Sequence, residues 1–320
     1  MMAGGLFAVP LSGCGQRPKE AKIGLLTERT LSPPHLDALR RGLAELGWVE
    51  GRSFRIEQRC AEGDLQRLPG LAAELVDSGA AVIVTGVESA ATLAAKHATT
   101  TIPIVFVTGG DPVDFGIVAN PRKPGENVTG FGGGIVAIQQ LGMLRTLAPR
   151  TERVAFLRNL TNPVHAQVFR GLERAATIGR RRHLTLGEIS VRDSTELDGA
   201  FKATQRQGFD ALVVPGDAMF SRERETLVRL AERVRLPATY GDRLFPDRGG
   251  LMSFSVDLVE LCGRAARHVD QILRGARAGD LPLGEAVKYE AVLNVAAANS
   301  LGLTVPDSLH HWVELVHWQQ

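Results

Sequence analysis

Nine side chains that can bind a small solute stand at or beside the ends of short apolar runs in this sequence. They are Thr27, Glu28, Glu88, Ser89, Asp111, Arg158, Asn159, Asp217 and Tyr240. Carboxylates and amides can hold an ammonium group, whereas hydroxyls, arginines and helix N-termini can hold a carboxylate. These residue types indicate recognition of a small polar molecule, such as an amino acid, rather than bond cleavage.

Two of these residues suit a solute carboxylate. Ser89 opens a predicted helix, whose first N–H groups carry partial positive charge, although simple capping explains a serine there equally well. Arg158 can bind a carboxylate through two parallel hydrogen bonds, or it can pair with Glu88 across a cleft and latch a closed form.

Asp111 and Asp217 suit a solute ammonium, because each follows a predicted strand in a different half of the chain. Aspartate is also common in turns, and Asp-Pro is itself a turn signal. If Asp217 contacts the solute, we expect Asp217→Ala to weaken binding and to leave the fold intact.

The remaining candidates each have a second interpretation. Thr27 and Glu28 end the first strand, and either one reaches the cleft or both are solvated loop residues. Asn159 can donate to and accept from a solute, or it can cap the turn that follows it. Tyr240 can stack on a solute, or it can lie in the core.

Catalytic and metal-binding motifs are missing from the sequence. There is no GxSxG, Walker loop or HExxH, and no His/Cys spacing typical of zinc, so we expect no enzyme activity, cofactor or metal. His165 follows Asn162-Pro163 at a predicted helix start, which favours a surface position. Cys60 and Cys262 can form a disulfide in an oxidising compartment, but two free thiols are the better interpretation.

Short β-branched runs alternate with predicted helices along the chain. Ala81–Val84 and Ile102–Val107 flank an alanine-rich segment, a pattern typical of strand, helix and strand in a buried parallel sheet. Leu212–Val214 and Leu236–Thr239 repeat it in the second half. The alternation predicts the α/β class, with two doubly wound parallel-sheet (Rossmann-like) lobes and a cleft between their strand ends.

Three regions follow from this alternation. We predict a signal and tether in residues 1–20, a first lobe in 21–129 plus about 251–280, and a second lobe in 130–250 plus about 281–320. Gly130–Gly134 lacks the spacing of a phosphate-binding loop and indicates flexible backbone between the lobes. Leu251–Phe254 is interpreted as a return crossing, and a hinge of several crossings permits closure around a ligand.

The charge and the N-terminus suggest where the chain works. The 320 residues carry a net charge of +2. The sequence has no basic cluster with interleaved aromatic residues, so it does not indicate binding to nucleic acid. Gly4–Leu11 is apolar but too short to span a bilayer, and Leu11-Ser12-Gly13-Cys14 resembles the end of a lipoprotein signal. The alternative is a chance apolar N-terminus with a stray cysteine, since no Lys or Arg precedes the run. The first interpretation predicts lipidation of Cys14 and a periplasmic or cell-envelope protein that contacts the membrane only through that lipid.

Several motifs, in order along about Lys22 to Leu309, resemble one bacterial family. They are Gly42–Gly51, Leu68–Val76, Ile102–Phe106, Gly110–Val113, Gly125–Gly130, Asn159 with Asn162-Pro163, and Gly249–Ser253. The family is that of the ABC-transporter substrate-binding proteins of the tryptophan/tyrosine-binding type, which have the type I periplasmic-binding-protein fold.

The resemblance implies a monomeric receptor that closes on a small solute and delivers it to an ABC permease membrane subunit. Proteins of this type often carry Trp where Arg158 stands, Tyr where Phe254 stands and a small residue where Glu88 stands, so a more polar or charged solute is an alternative to an aromatic amino acid. Two other classes of function remain open. One is a ligand-sensing module that is not coupled to transport; as part of a transcriptional regulator, such a module would need a DNA-binding domain. The other is an enzyme on a two-lobed α/β fold that uses the thiols of Cys60 and Cys262.

Overall fold

The computed structural model describes residues 20–86, 89–133, 136–178 and 184–317. The first part of the chain forms β1 (Ala21–Thr27), α1 (Pro33–Glu45), β2 (Phe54–Cys60), α2 (Leu68–Asp77), β3 (Val82–Gly86), α3 (Ser89–Ala98), β4 (Ile104–Val107) and β5 (Val128–Gly132). These strands form one parallel sheet, in the order β5-β4-β3-β1-β2. The predicted alternation of strand and helix is confirmed here.

The middle of the chain builds a second sheet. It contains α4 (Val136–Leu147), β6 (Arg153–Asn159), α5 (His165–Ile178), β7 (Thr185–Val191), α6 (Leu197–Arg206), β8 (Ala211–Val214), α7 (Ala218–Arg222), α8 (Arg224–Arg233), β9 (Ala238–Tyr240) and β10 (Met252–Val256). The strands run parallel in the order β10-β9-β8-β6-β7.

The last part of the chain contributes to both lobes. It forms α9 (Leu258–Leu273), β11 (Gly284–Glu285), β12 (Tyr289–Asn294), α10 (Val295–Ser300), α11 (Asp307–His310) and β13 (Glu314–Val316). Helix α9 packs beside α1, β11 extends the first sheet, and β12 and β13 extend the second, where β12 lies antiparallel to β10.

Each sheet is covered on both faces by helices, which explains why its strands are apolar at consecutive positions. In β1, Ile23 and Leu25 pack in the cluster that includes α9, whereas Leu26 packs in the cluster that includes α2 and α3. Such strands bury both faces and carry no polar alternation.

The chain crosses between the lobes after β5, after β10 and after β11. Sequence analysis placed the second crossing near residue 251, but β10 belongs to the second sheet, so that crossing follows Val256. The third follows Glu285 rather than residue 280, because β11 pairs with β5. A short apolar run identifies a strand but does not show which sheet it joins. The predicted α/β architecture with two lobes and a multi-crossing hinge is confirmed.

Candidate functional site

The carboxyl ends of the two sheets face each other across a cleft. Three polar contacts cross it: Arg29 Nη2 to Asp242 Oδ2 at 3.4 Å, Arg222 Nη1 donating to the Glu62 carbonyl at 3.0 Å, and Arg174 Nη2 to Asp114 Oδ1 at 2.5 Å. Each partner lies C-terminal to a strand of its own lobe. The loops and helices that follow the strand ends therefore form the rim, and the strand ends form the walls.

Paired hydroxyl groups line the first lobe's side of this edge. Ser89 Oγ and Thr108 Oγ1 are 2.8 Å apart, and Thr85 Oγ1 and Thr92 Oγ1 are 2.7 Å apart, all in buried side chains. A hydroxyl can donate or accept by rotation, so these pairs can re-form their hydrogen bonds around a polar molecule. Thr27, the last residue of β1, is buried beside them.

The carboxylate of Glu28 lies at the N-terminus of α3. Its Oε1 accepts the Ala91 backbone N–H at 3.0 Å, and the side chain is fully buried. Its backbone carbonyl also accepts the Gly63 N–H, which joins it to the loop that Arg222 contacts from the other lobe. The helix terminus that sequence analysis offered to a solute carboxylate thus holds a carboxylate of the chain itself.

Asp217 is the centre of a hydrogen-bonded cluster in the second lobe. Its Oδ1 accepts the backbone N–H groups of Met219 and Phe220 at 2.9 and 3.1 Å, which caps α7. The amides of Asn159 and Asn162 donate to Asp217 Oδ2 at 3.1 and 2.9 Å. Asp217 is only 1% exposed, so these donors replace the water that would otherwise solvate it.

His165 belongs to the same cluster, contrary to the expected surface position. It is buried, its Nδ1 accepts the Asn159 N–H at 3.0 Å, and its Nε2 lies 3.5 Å from Asp217 Oδ2. The accepting Nδ1 places the proton of the neutral ring on Nε2, facing the carboxylate. Burial lowers the pKa of His165, opposed by the nearby Asp217 carboxylate. The sequence does not indicate this burial, because the polar Asn162-Pro163 turn beside His165 is typical of an exposed segment.

Arg158 and Tyr240 are engaged within the second lobe. Arg158 Nη1 donates to both carboxylate oxygens of Glu188, on the neighbouring strand β7, at 3.1 and 2.9 Å. Its charge is therefore paired with Glu188 within the second sheet. The Tyr240 ring is buried and stacks on Phe245, with centroids 4.3 Å apart, so the core alternative holds for that residue.

Asp111 stabilises a turn at the end of β4. Its Oδ1 accepts the backbone N–H groups of Val113 and Asp114 at 2.8 and 3.3 Å, beside the rim contact to Arg174. Glu88 and Cys14 lie outside the described residues. Cys60 and Cys262 are both free, and burial raises the pKa of the Cys262 thiol to about 12.

Sequence reasoning missed the charged rim and the hydroxyl of Thr108. Arg29, Arg174, Arg222 and Asp242 stand in loops and helices where charged side chains usually meet solvent, so their types alone give no signal. Their position after predicted strand ends was the one available clue, because those ends meet at the cleft.

Comparisons with known proteins agree with this architecture. The family described as ABC transporter substrate binding protein matches residues 31–314. The tyrosine-binding protein of Clostridioides difficile (strain R20291) is 22% identical over 321 residues, which cover 95% of this chain and 91% of that protein.

Two solved structures share the fold at 24% identity. One is an ABC domain in complex with L-Trp from Streptococcus pneumonia, with a TM-score of 0.83 over 93% of this chain and 100% of that chain. The other is a conserved domain protein from Vibrio cholerae, with a TM-score of 0.82 over 93% of this chain and 99% of that chain.

The family match extends over most of the chain, and its members are solute-binding proteins that work outside the cytoplasm. Among the described residues, no helix combines the length and apolar character needed to cross a bilayer. The chain belongs to the ABC transporter substrate-binding protein family.

Proposed function

We propose that this chain is the solute-binding component of an ABC importer and that it captures a small polar solute, an amino acid or a related molecule, between its lobes. The observation that carries the proposal is the set of three contacts between the two lobes, made by loop and helix residues that follow strand ends. They bring buried polar groups of both lobes to one cleft. The names of the relatives, a tyrosine-binding protein and an L-Trp complex, support an amino-acid-like solute.

The rim contacts are too weak to hold the lobes together alone. The Arg29–Asp242 and Arg174–Asp114 pairs are partly exposed, and such pairs contribute about 0–1 kcal/mol each. A solute that touches both walls favours the closed form by its differential affinity. The closed form then docks on the permease subunit, and the protein acts as a monomer.

The proposed solute contacts are the strand-end groups of both walls. They are Thr27, Glu28, Glu88 and Ser89 in the first lobe and Asn159 and Asp217 in the second, with Asp111 at the rim. Thr108 joins this set through its hydroxyl bond to Ser89. Arg158 and Tyr240 leave it, because Glu188 and Phe245 already engage them.

Lipidation of Cys14 is proposed to tether the protein to the membrane. Cys14→Ser is expected to shift the protein from the membrane fraction to the soluble fraction of its native host. A Cys14→Ser variant that stays in the membrane fraction would contradict the tether.

A thermal-shift screen tests the proposed function. The panel contains amino acids, small peptides, nucleosides, purines and organic acids. A solute that binds only the folded protein stabilises it by RT ln(1 + [L]/Kd), about 2.7 kcal/mol at 100 times Kd. We expect a shift with an amino acid or a related amine, and a decrease in the radius of gyration by small-angle X-ray scattering when that solute is added. A shift without compaction would contradict capture by closure.

A further inference from the structure

We propose that a groove between α8 and α10 of the second lobe is a second binding site, and that it takes a small ring compound that carries a hydroxyl group and no negative charge. The groove is separate from the cleft, so this inference does not rest on the proposed function. Two observations point to a ligand: an apolar space in a close-packed lobe, and a buried hydroxyl group at that space without a hydrogen-bond partner.

The first observation is the space itself, a groove of about 310 Å³. Alanines line it from α8, from β9 and from α10: Ala231, Ala238, Ala296 and Ala297. Protein interiors are close-packed, so short side chains that no longer neighbour fills in leave room for another molecule. An engineered apolar cavity of about 150 Å³ binds benzene, so this groove has room for a ring and its substituents.

The second observation is the hydroxyl group of Tyr240, which lines the groove from β9. Tyr240 is only 1% exposed, and its ring stacks on Phe245. No group among the described residues donates to this hydroxyl or accepts from it, and burial alone raises the pKa of the phenol. Buried tyrosine hydroxyls usually have a partner, so a ligand with a hydroxyl group would supply the one that Tyr240 lacks.

The charge of the lining selects among such ligands. Glu232, near the end of α8, is the one charged side chain among the described residues that line the groove. It is exposed, and its carboxylate belongs to no ion pair within that part of the chain. A carboxylate on the ligand would meet this charge without a cation to offset it, so the groove favours an uncharged compound over an acid.

The groove and the cleft are different sites. The described residues that line the groove all belong to the second lobe, whereas the proposed contacts of the cleft come from the strand ends of both lobes. The three contacts between the lobes also involve other residues. A ligand can therefore occupy the groove whether the cleft is open or closed.

Methyl NMR of the purified protein locates the site. The alanine methyl groups are labelled with ¹³C, and three compounds that share one ring are titrated separately: 4-methylphenol, toluene and 4-methylbenzoate. We expect 4-methylphenol to shift the signals of the four groove alanines and to leave Ala265 and Ala266, in the core of the first lobe, unchanged. Toluene should act on the same signals with an affinity about three- to tenfold lower, because it lacks the hydrogen bond, and 4-methylbenzoate should bind more weakly than 4-methylphenol.

Two results of this titration would overturn the inference. The first is that no compound shifts the groove alanines at millimolar concentration, or that the first lobe responds instead. The second is that 4-methylbenzoate binds as tightly as 4-methylphenol, which would contradict the assigned class of ligand.

Tyr240→Phe tests the hydroxyl group. Phenylalanine keeps the ring that stacks on Phe245 and removes a hydroxyl that has no protein partner to lose, so the variant should fold like the parent. We expect the affinity for 4-methylphenol to fall about three- to tenfold and that for toluene to stay unchanged. The matched control is Tyr289→Phe, because the hydroxyl of this second tyrosine donates to the Ala286 carbonyl and lies outside the groove. Equal effects of the two variants would contradict the role of Tyr240.

Ala297→Leu tests the space. The longer side chain should fill the groove from α10 and weaken the binding of both 4-methylphenol and toluene at least about tenfold. Asn299→Leu is the control, since Asn299 is exposed on the same helix and does not line the groove. If Ala297→Leu does not fold, Ala296→Leu takes its place, because Ala296 is also half-buried at the groove. Unchanged binding in the folded variant would overturn the inference.

The same variant separates the groove from the cleft. Ala297→Leu should bind the solute found in the thermal-shift screen as tightly as the parent does. Loss of that solute together with 4-methylphenol would contradict two separate sites, whereas loss of 4-methylphenol alone supports them.

Discussion

The two walls of the cleft each place a carboxylate at a helix N-terminus, but they do so with different partners. In the second lobe, Asp217 caps the helix that follows it directly, and the amides of Asn159 and Asn162 complete its hydrogen bonds. In the first lobe, Glu28 reaches a helix that begins far along the chain, beside hydroxyl pairs that can reorient. The comparison indicates a preorganised second wall and a first wall whose hydroxyl pairs can adapt.

The largest expected effect is the loss of stability in Asp217→Ala. Removal of this carboxylate leaves two buried amides and two helix N–H groups without their acceptor, and each such group costs roughly 1–3 kcal/mol. We expect the free energy of unfolding, measured in urea, to fall by about 3 kcal/mol or more. The sequence-based expectation that the fold stays intact is revised by this cluster.

Asp111→Ala is the matched control for that variant. Asp111 also accepts two backbone N–H groups, but its turn is exposed to water, so we expect a loss of about 1 kcal/mol or less. Equal losses for the two aspartates would show that the second wall is not preorganised by its buried cluster.

Acid should destabilise both lobes through one buried histidine in each. Burial lowers the pKa of His165 in the second lobe and lowers that of His268, on α9 of the first lobe, to about 4. The unfolded chain binds a proton near pH 6.5 and the folded chain binds it only at a lower pH, so stability falls as the pH drops below about 6.5. For His268 the loss is up to about 1.4 kcal/mol per pH unit down to about pH 4, and His165 acts in the same direction.

Replacing each histidine with glutamine separates the two contributions. Unfolding in urea at pH 7 and pH 5 should show a smaller loss on acidification for His165→Gln and for His268→Gln than for the parent. A loss that is unchanged in both variants would assign the acid sensitivity to other groups.

Intermediate effects are expected for Glu28→Ala. It removes one hydrogen bond to the first turn of α3, so we expect a loss of stability of about 1–2 kcal/mol, less than for Asp217→Ala. Thermal unfolding without solute measures it. A loss as large as that of Asp217→Ala would mean that the first wall is as rigid as the second.

The smallest effects are expected at the rim. Arg222→Ala removes one partly exposed hydrogen bond between the lobes, so the solute affinity should fall no more than about fivefold. Arg224→Ala is the control, because Arg224 donates to Ser221 within its own lobe. Calorimetric titration of both variants checks the difference, and a complete loss of binding in Arg222→Ala would place Arg222 in the wall rather than at the rim.

The fold was predictable from the sequence, because buried parallel strands leave a local pattern, and the polar residues behind those strands indicated the candidate site. The contacts that decide the chemistry were not. Arg158 pairs with Glu188 only because the register of β6 and β7 brings them together, and Glu28 meets Ala91 only after the first lobe has formed. The apolar residues of β9 also could not decide between the two interpretations of Tyr240, contact with a solute or burial in the core.

The short edge strands β11 and β13 could not be predicted from the sequence, for a related reason. Strand β11 has two residues and β13 has three, too few for a period of two to emerge. Their pairing with β5 and β12 depends on the completed sheets. For the same reason, the second crossing between the lobes follows β10, whereas the sequence pattern predicts it near residue 251.

A crystal structure of the complex with the tightest-binding compound of the thermal-shift panel is the most direct test. The account predicts a closed cleft in which the solute contacts strand-end groups of both lobes. A solute that contacts one lobe only, or one bound outside the cleft, would contradict it.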